Sequence, residues 1–127
     1  MIFSKLILFF FNLYIAGEIM LINFNEISEI AIPNMNGGEG EIIAKMDIND
    51  CGRFIQTIIP PNSSIGPHLQ ESNDDINFIV SGEGIAICDD VEEILKPGTC
   101  HICPKGSSHS IINNGDEDLV FFTVVPK

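Results

Sequence analysis

The chain has 127 residues, enough for one domain with a single core, and its 45% hydrophobic content excludes a disordered polymer. Six Lys and Arg against 18 Asp and Glu give a formal charge of -12. That field repels polyanions and no basic stripe offsets it, so nucleic acid and anionic membrane surfaces are excluded as partners, while a cation or a neutral ligand is well tolerated.

The chain opens on an apolar run over residues 2–16 (IFSKLILFFFNLYIA), interrupted by Lys5. A membrane-spanning helix needs about 20 apolar residues, and Glu18 ends the run too early. A signal peptide fits the length better, yet Lys5 sits inside the apolar stretch and residues 14–17 make a poor cleavage site. The reading adopted is that Met20 is the natural start and residues 1–19 are an upstream extension. Residues 20–127 then form a single cytoplasmic domain; a signal-like role for the first residues would instead imply secretion.

Beyond residue 25, short apolar runs alternate with turn signals roughly every ten residues. Residues 27–32 (ISEIAI) alternate apolar and polar, and 53–59 (RFIQTII) are rich in β-branched side chains before Pro60-Pro61-Asn62. Residues 76–80 (INFIV) run into Gly82-Glu83-Gly84, 85–88 (IAIC) into Asp89-Asp90, 91–95 into Pro97-Gly98, and 99–103 into Pro104. Residues 109–112 meet Asn114-Gly115, which predicts a type I′ hairpin because both residues tolerate positive φ. Residues 118–125 (DLVFFTVV) close the chain. No window past residue 25 carries helical periodicity with caps. Many short strands at even spacing predict an all-β sandwich or barrel, of which the eight-stranded jelly roll is one form.

The cysteines Cys51, Cys88, Cys100 and Cys103 show no spacing typical of a secreted disulfide framework, and they are read as small buried apolar residues in reducing surroundings. Cys100 and Cys103 form a CxxC around His101. Strand alternation turns Cys100 away from both His101 and Cys103, which is poor geometry for zinc, and no helix N-terminus is present to make a thioredoxin-like motif. This CxxC is read as structural. The triplet Asn62-Ser63-Ser64 matches an N-glycosylation acceptor and is read as a turn.

Two stretches carry chemistry. In residues 97–113 (PGTCHICPKGSSHSIIN), Gly98 permits a tight turn, Pro104-Lys105-Gly106 turns the chain after a strand, His109 opens the next strand, and Asn113 sits at the reversal. In residues 62–82 (NSSIGPHLQESNDDINFIVSG), His68 and Gln70 are two apart on a strand and so share a face. The later stretch resembles the second signature of the cupin superfamily, G-x5-P-x-G-x2-H-x3-N, at Gly98, Pro104, Gly106, His109 and Asn113. The earlier one resembles the first, G-x5-H-x-H-x3–4-E-x6-G. It keeps His68 and Gly82, with Asn62 for the first Gly, Gln70 for the second His and Asp75 for the Glu. On these residues, a resemblance spanning roughly 40–127, the chain is identified as a member of the cupin superfamily.

That resemblance implies a double-stranded β-helix, or jelly-roll barrel, with a divalent metal ion inside it held by His68, Gln70, Asp75 and His109. Two imidazoles and one carboxylate suit Fe(II), with Mn or Ni ahead of Zn. Gln70 offers only a neutral amide oxygen, and Asp reaches about 1.5 Å less far than Glu, so a weakened site is expected, with Asp74 as a substitute ligand. Phe78, Phe121 and Phe122 are expected around the pocket, two of the three as ordinary core, with Asn77 and Ser108 as polar contacts.

Oxalate-decarboxylating cupins usually carry an arginine shortly before the first metal His, where Ile65 and Gly66 stand here. Dioxygenase relatives keep three His, and sugar-epimerising relatives need a Tyr acid, for which Tyr14 is the sole candidate. Two functions remain in view. One is a metal cupin with oxygenase- or isomerase-like chemistry. The other is a metal-free barrel whose polar residues bind a small molecule directly as a binding or sensory module. A purely structural barrel is a third. Exposed sheet edges and the family's habit both imply a homodimer.

Overall fold

A computed structural model describes residues 20–127. The apolar run over 1–19, with Tyr14 and the question of the natural start, lies outside them. No helix among the described residues is long and apolar enough to cross a membrane.

Ten strands follow one another: β1 Ile30–Pro33, β2 Glu41–Asn49, β3 Gly52–Ile59, β4 Ser64–Leu69, β5 Asp75–Ser81, β6 Gly84–Cys88, β7 Val91–Leu95, β8 Cys100–Cys103, β9 Ser108–Ile112 and β10 Leu119–Pro126. Among the described residues the helical content is two 3-10 turns, Phe24–Glu26 and Met35–Gly37. The strands form a six-stranded sheet, β1-β2-β3-β10-β5-β8, and a four-stranded sheet, β4-β9-β6-β7. All pairings are antiparallel. This is the double-stranded jelly roll expected from the sequence, with two more strands than its eight-stranded form. β2 has no counterpart among the expected runs. Its inward Ile42 and Ala44 alternate properly, but Ile43 between them blurs the period.

Burial follows strand alternation. Along β10, Leu119, Phe121, Thr123 and Val125 are buried while Val120, Phe122 and Val124 face outward. Leu119 pairs with Ile59, and around them Ile79, Leu95, Ile111 and Phe121 complete a closed apolar core. Further along the same strands, Phe121 pairs with Thr57 and Thr123 with Ile55 and Asn77, and there the interior turns polar.

The expected Asn114-Gly115 hairpin is not formed. β9 pairs with β4 and β6, whereas β10 pairs with β3 and β5, so residues 113–118 cross from one sheet to the other. Neither Asn114 nor Gly115 adopts positive φ. Asn113 fastens the crossing: its buried amide donates to the Ile59 and Glu117 carbonyls at 2.7 and 2.8 Å and accepts from the Gly115 N–H at 2.8 Å. Asn62 does take the left-handed conformation that its place in the motif requires, at φ 64°.

One irregularity positions the site. β4 and β9 pair Ile65 with Ile111 and then His68 with His109, so β4 holds an extra residue between those pairs. In a regular strand, residues three apart point to opposite faces. The bulge at Gly66-Pro67 resets the alternation, and Ile65 and His68 both face the same cavity. Gly66 is buried, and a methyl group there would run into the Asn36 carbonyl. Replacing Gly66 with Ala is therefore expected to lower stability by about 1–3 kcal/mol in urea unfolding, whereas Leu69→Ala, at an exposed position on the same strand, should change it by no more than about 0.5 kcal/mol.

Candidate metal and ligand site

The β4–β9 pairing sets two imidazoles against each other. His68 Nε2 and His109 Nε2 are 3.1 Å apart, with ring centroids at 4.6 Å. Gln70, just past the end of β4, brings its amide Nε2 to 3.3 Å from His68 Nε2 and 3.2 Å from His109 Nε2. Asp75 opens β5 and places Oδ2 3.4 Å from His109 Nε2. The four residues assigned from the motifs thus converge. The shorter Asp75 side chain nonetheless comes up to the His109 ring, because β5 begins beside it. Asp74 does not line the cavity; its carboxylate accepts from the Lys105 N–H at 2.8 Å in an exposed contact.

Each ring is oriented by its other nitrogen. His68 Nδ1 lies 2.9 Å from the Gly66 carbonyl oxygen. A carbonyl only accepts, so Nδ1 carries the proton and a neutral ring turns its Nε2 lone pair toward the cluster. His109 Nδ1 lies 2.8 Å from Nε2 of His101, whose own Nδ1 is 2.6 Å from Glu93 Oε1. Burial, reinforced by His68 and His101 nearby, pushes His109 down to about 3, so it is neutral across the physiological range.

His68, Asp75 and His109 line a cavity of about 100 Å³, while Gln70 is not among its walls. Its walls are mainly apolar, with Ile42, Ile55, Ile65, Ile111 and Phe121 among them. Asn77 lines it as expected, 1% exposed, donating to Asp75 Oδ2 at 3.0 Å and accepting from the Thr123 hydroxyl at 2.6 Å. Three other expected wall residues do not line it, for one reason. Phe78 alternates with Asn77, Phe122 with Phe121, and Ser108 with His109, so each faces outward. Phe122 instead packs edge-on against Phe24 at 5.1 Å. Ser108 donates its N–H to Asp89 and holds that carboxyl below its usual range.

A family model for the cupin domain matches residues 55–125. The chain belongs to the cupin family. The oxalate-binding protein of Thermotoga maritima is 34% identical to it over 115 residues, 86% of this chain and 95% of the relative. The crystal structure of a predicted oxalate decarboxylase from Thermotoga maritima superposes with a TM-score of 0.79 at 32% identity, covering 84% of this chain and 98% of that one. KdgF from Halomonas sp. shares the fold, with a TM-score of 0.70 at 18% identity over 87% of this chain and 96% of its own.

Two residues of this cupin's site escaped the sequence reading. His101 was absorbed into a structural CxxC, yet it is 2% exposed and touches His109. The usable signal was alternation, which puts His101 on the inward face beside Cys103. Glu93, on the exposed strand β7, carries no sequence signal at all. The CxxC itself is split as alternation requires, Cys100 outward and Cys103 inward. Burial, with a hydrogen bond to Cys88, pushes the Cys103 thiol up to about 12, so it stays protonated. All four cysteines are free, but Cys51 and Cys100 are exposed rather than buried, one in the turn after β2 and one on an outer sheet face.

The neutral His109 makes stability depend on pH. In the unfolded chain it takes up a proton near its ordinary value of 6.5, in the folded chain only near 3. The folded state is therefore favoured fully above pH 6.5 and loses ground as the pH falls toward 3, by up to about 1.4 kcal/mol per unit. The wild type is compared with His109→Gln in urea unfolding at pH 7.5, 6 and 5. A shallower pH dependence is expected for His109→Gln; equal slopes would contradict the assignment.

Proposed function

We propose that this cupin binds a divalent metal ion through His68, His109, Asp75 and Gln70, and through it a small oxygen-rich ligand such as a two-carbon dicarboxylate. The observation that supports this is the spacing of the four side chains. Two donors on one ion, each about 2.1 Å from it, stand roughly 3.0–3.4 Å apart, and the two separations between ligating atoms here, His68 Nε2 to His109 Nε2 and His109 Nε2 to Asp75 Oδ2, are 3.1 and 3.4 Å. Among the described residues no three His, Cys, Asp or Glu side chains form a metal-holding group unaided; in this reading the Gln70 amide, turned over to present its carbonyl oxygen in place of the NH2 that now faces the imidazoles, would complete the set. Fe(II), Mn(II) or Ni(II) suits two imidazoles and a carboxylate better than Zn(II) does.

Such an ion would supply positive charge and Lewis acidity. The protein's own residues do the rest. His68 and His109 present lone pairs, Asp75 adds a negative charge steadied by Asn77, and the apolar walls exclude water. A cavity of about 100 Å³ admits roughly four heavy atoms, judged against the ~150 Å³ that holds six-atom benzene, so the ligand is a small one. The oxalate-binding relative is named for a ligand of that order of size. No Lys or Arg lines the cavity, and the chain carries a charge of -12, so a dianion would be repelled unless a cation were bound first. With Ile65 and Gly66 where decarboxylases keep an arginine, the reading is binding rather than decarboxylation.

A second reading also has support. As it stands, the Gln70 NH2 can donate to both Nε2 lone pairs, which satisfies the cluster without an ion and suits direct binding of a neutral ligand. The proposal further includes a cytosolic homodimer. Free cysteines suit a reducing compartment, and Phe78, Val80 and Ile102, each about half exposed on the outer face of the six-stranded sheet, suit burial against a second copy.

The test is titration of chelator-treated protein with Fe(II) and Mn(II), followed by oxalate, monitored by calorimetry and thermal unfolding. Near-stoichiometric metal binding is expected. Oxalate at a hundredfold excess over its Kd should add about 2.7 kcal/mol of stability with metal and none without it. His109→Ala should abolish both effects, and Gln70→His should tighten metal binding. Equal oxalate binding in metal-free protein would favour the second reading, and binding of neither metal nor oxalate would overturn both.

A further inference from the structure

The histidine cluster does not end at the cavity. His109 leads through His101 to Glu93, and Glu93 stands on β7, the edge of the four-stranded sheet, while His101 stands on β8, the edge of the six-stranded sheet. The Glu93–His101 hydrogen bond therefore ties the two sheets across the seam of the barrel. Outside it lies a surface hollow of about 230 Å³ whose walls include both residues. A continuous line of hydrogen-bonding groups thus runs from solvent at Glu93, whose side chain is 49% exposed, through the fully buried His101 to the inner cavity.

The direction of this line is set at its outer end. A carboxylate can only accept, so His101 Nδ1 must donate to Glu93. With one proton on each imidazole, His101 Nε2 is then a lone pair, which accepts from His109 Nδ1–H. His109 is left with its proton on the far nitrogen and a bare Nε2 facing His68, Gln70 and Asp75. Reversing the line would put a proton on His109 Nε2, the position a metal ion needs free.

We infer that Glu93 and His101 are positioning residues that select the tautomer of His109, holding its Nε2 lone pair toward the cavity. The tautomer selection stands on hydrogen-bond geometry alone; only its consequence, tighter metal binding, rests on the proposed metal site. Outer partners of this kind are generally worth about 10–100-fold in metal affinity. Neither residue lines the inner cavity, so the role is one of orientation.

The experiment is long-range 1H–15N NMR of the histidine rings in metal-free protein at pH 8, comparing the wild type with Glu93→Ala and His101→Phe, with metal affinity measured in parallel by competition with a chromogenic chelator. The wild type should show His109 protonated at Nδ1. Glu93→Ala removes a half-exposed side chain and should leave the fold intact, so it keeps the test open should His101→Phe fail to fold. In Glu93→Ala a second His109 population protonated at Nε2 is expected, with metal affinity about tenfold weaker. An unchanged Nδ1–H tautomer in Glu93→Ala, or a wild type already protonated at Nε2, would overturn the inference. A shifted tautomer in a protein that takes up no metal would support the positioning role and sink the metal site instead.

Discussion

The bulge at Gly66-Pro67 is the constraint on which the rest of the site depends. Strand alternation is strict, and a regular β4 could not send both Ile65 and His68 into the barrel. One extra residue lets the strand contribute to the apolar core at Ile65 and to the polar cluster at His68. The composition of the bulge follows. Gly66 has no side chain to collide with the Asn36 carbonyl, and Pro67 has no N–H to leave unpaired in the disrupted ladder. The Gly66 carbonyl, turned out of the regular ladder, then accepts from His68 and fixes that ring. A single departure from regularity thus sets the face, the reach and the tautomer of His68.

From there the interior divides along its strands. Toward the Leu119–Ile59 pair it is a closed apolar core; toward Thr123 and Asn77 it holds polar groups, each with a partner. No buried side-chain nitrogen or oxygen among the described residues lacks a hydrogen bond. Unpaired polar groups in so apolar a space would cost about 1–3 kcal/mol each, so the cluster is tolerated because it is a network. The same low-polarity surroundings keep His109 neutral and make any charge admitted to the cavity strongly felt. With no cationic side chain at its cavity and a charge of -12, the chain offers an anionic ligand no counter-charge of its own there.

Much of this was legible in sequence. Pro and Gly punctuation marks most strands, and the resemblance to the two cupin signatures names His68, Gln70, Asp75 and His109, four side chains that do meet. The failures have physical causes. Asn114-Gly115 reads as a tight hairpin, but Asn113 ties the segment to Ile59 and Glu117, across two sheets. Phe78, Phe122 and Ser108 have the chemistry of pocket walls but the wrong parity, and alternation with Asn77, Phe121 and His109 puts them outside. The Glu93–His101 pairing joins strands from different sheets, and nothing in local pattern encodes which edge strands meet at a barrel seam.

The central claim is that one ion fits among His68, His109, Asp75 and Gln70, and anomalous diffraction from crystals grown with Mn(II) tests it most directly. The account predicts a single strong anomalous peak bonded to both Nε2 atoms and to the Asp75 carboxylate, with the Gln70 amide turned to offer its oxygen. A map with no peak there, and Gln70 still bridging the two imidazoles through its NH2, would contradict it.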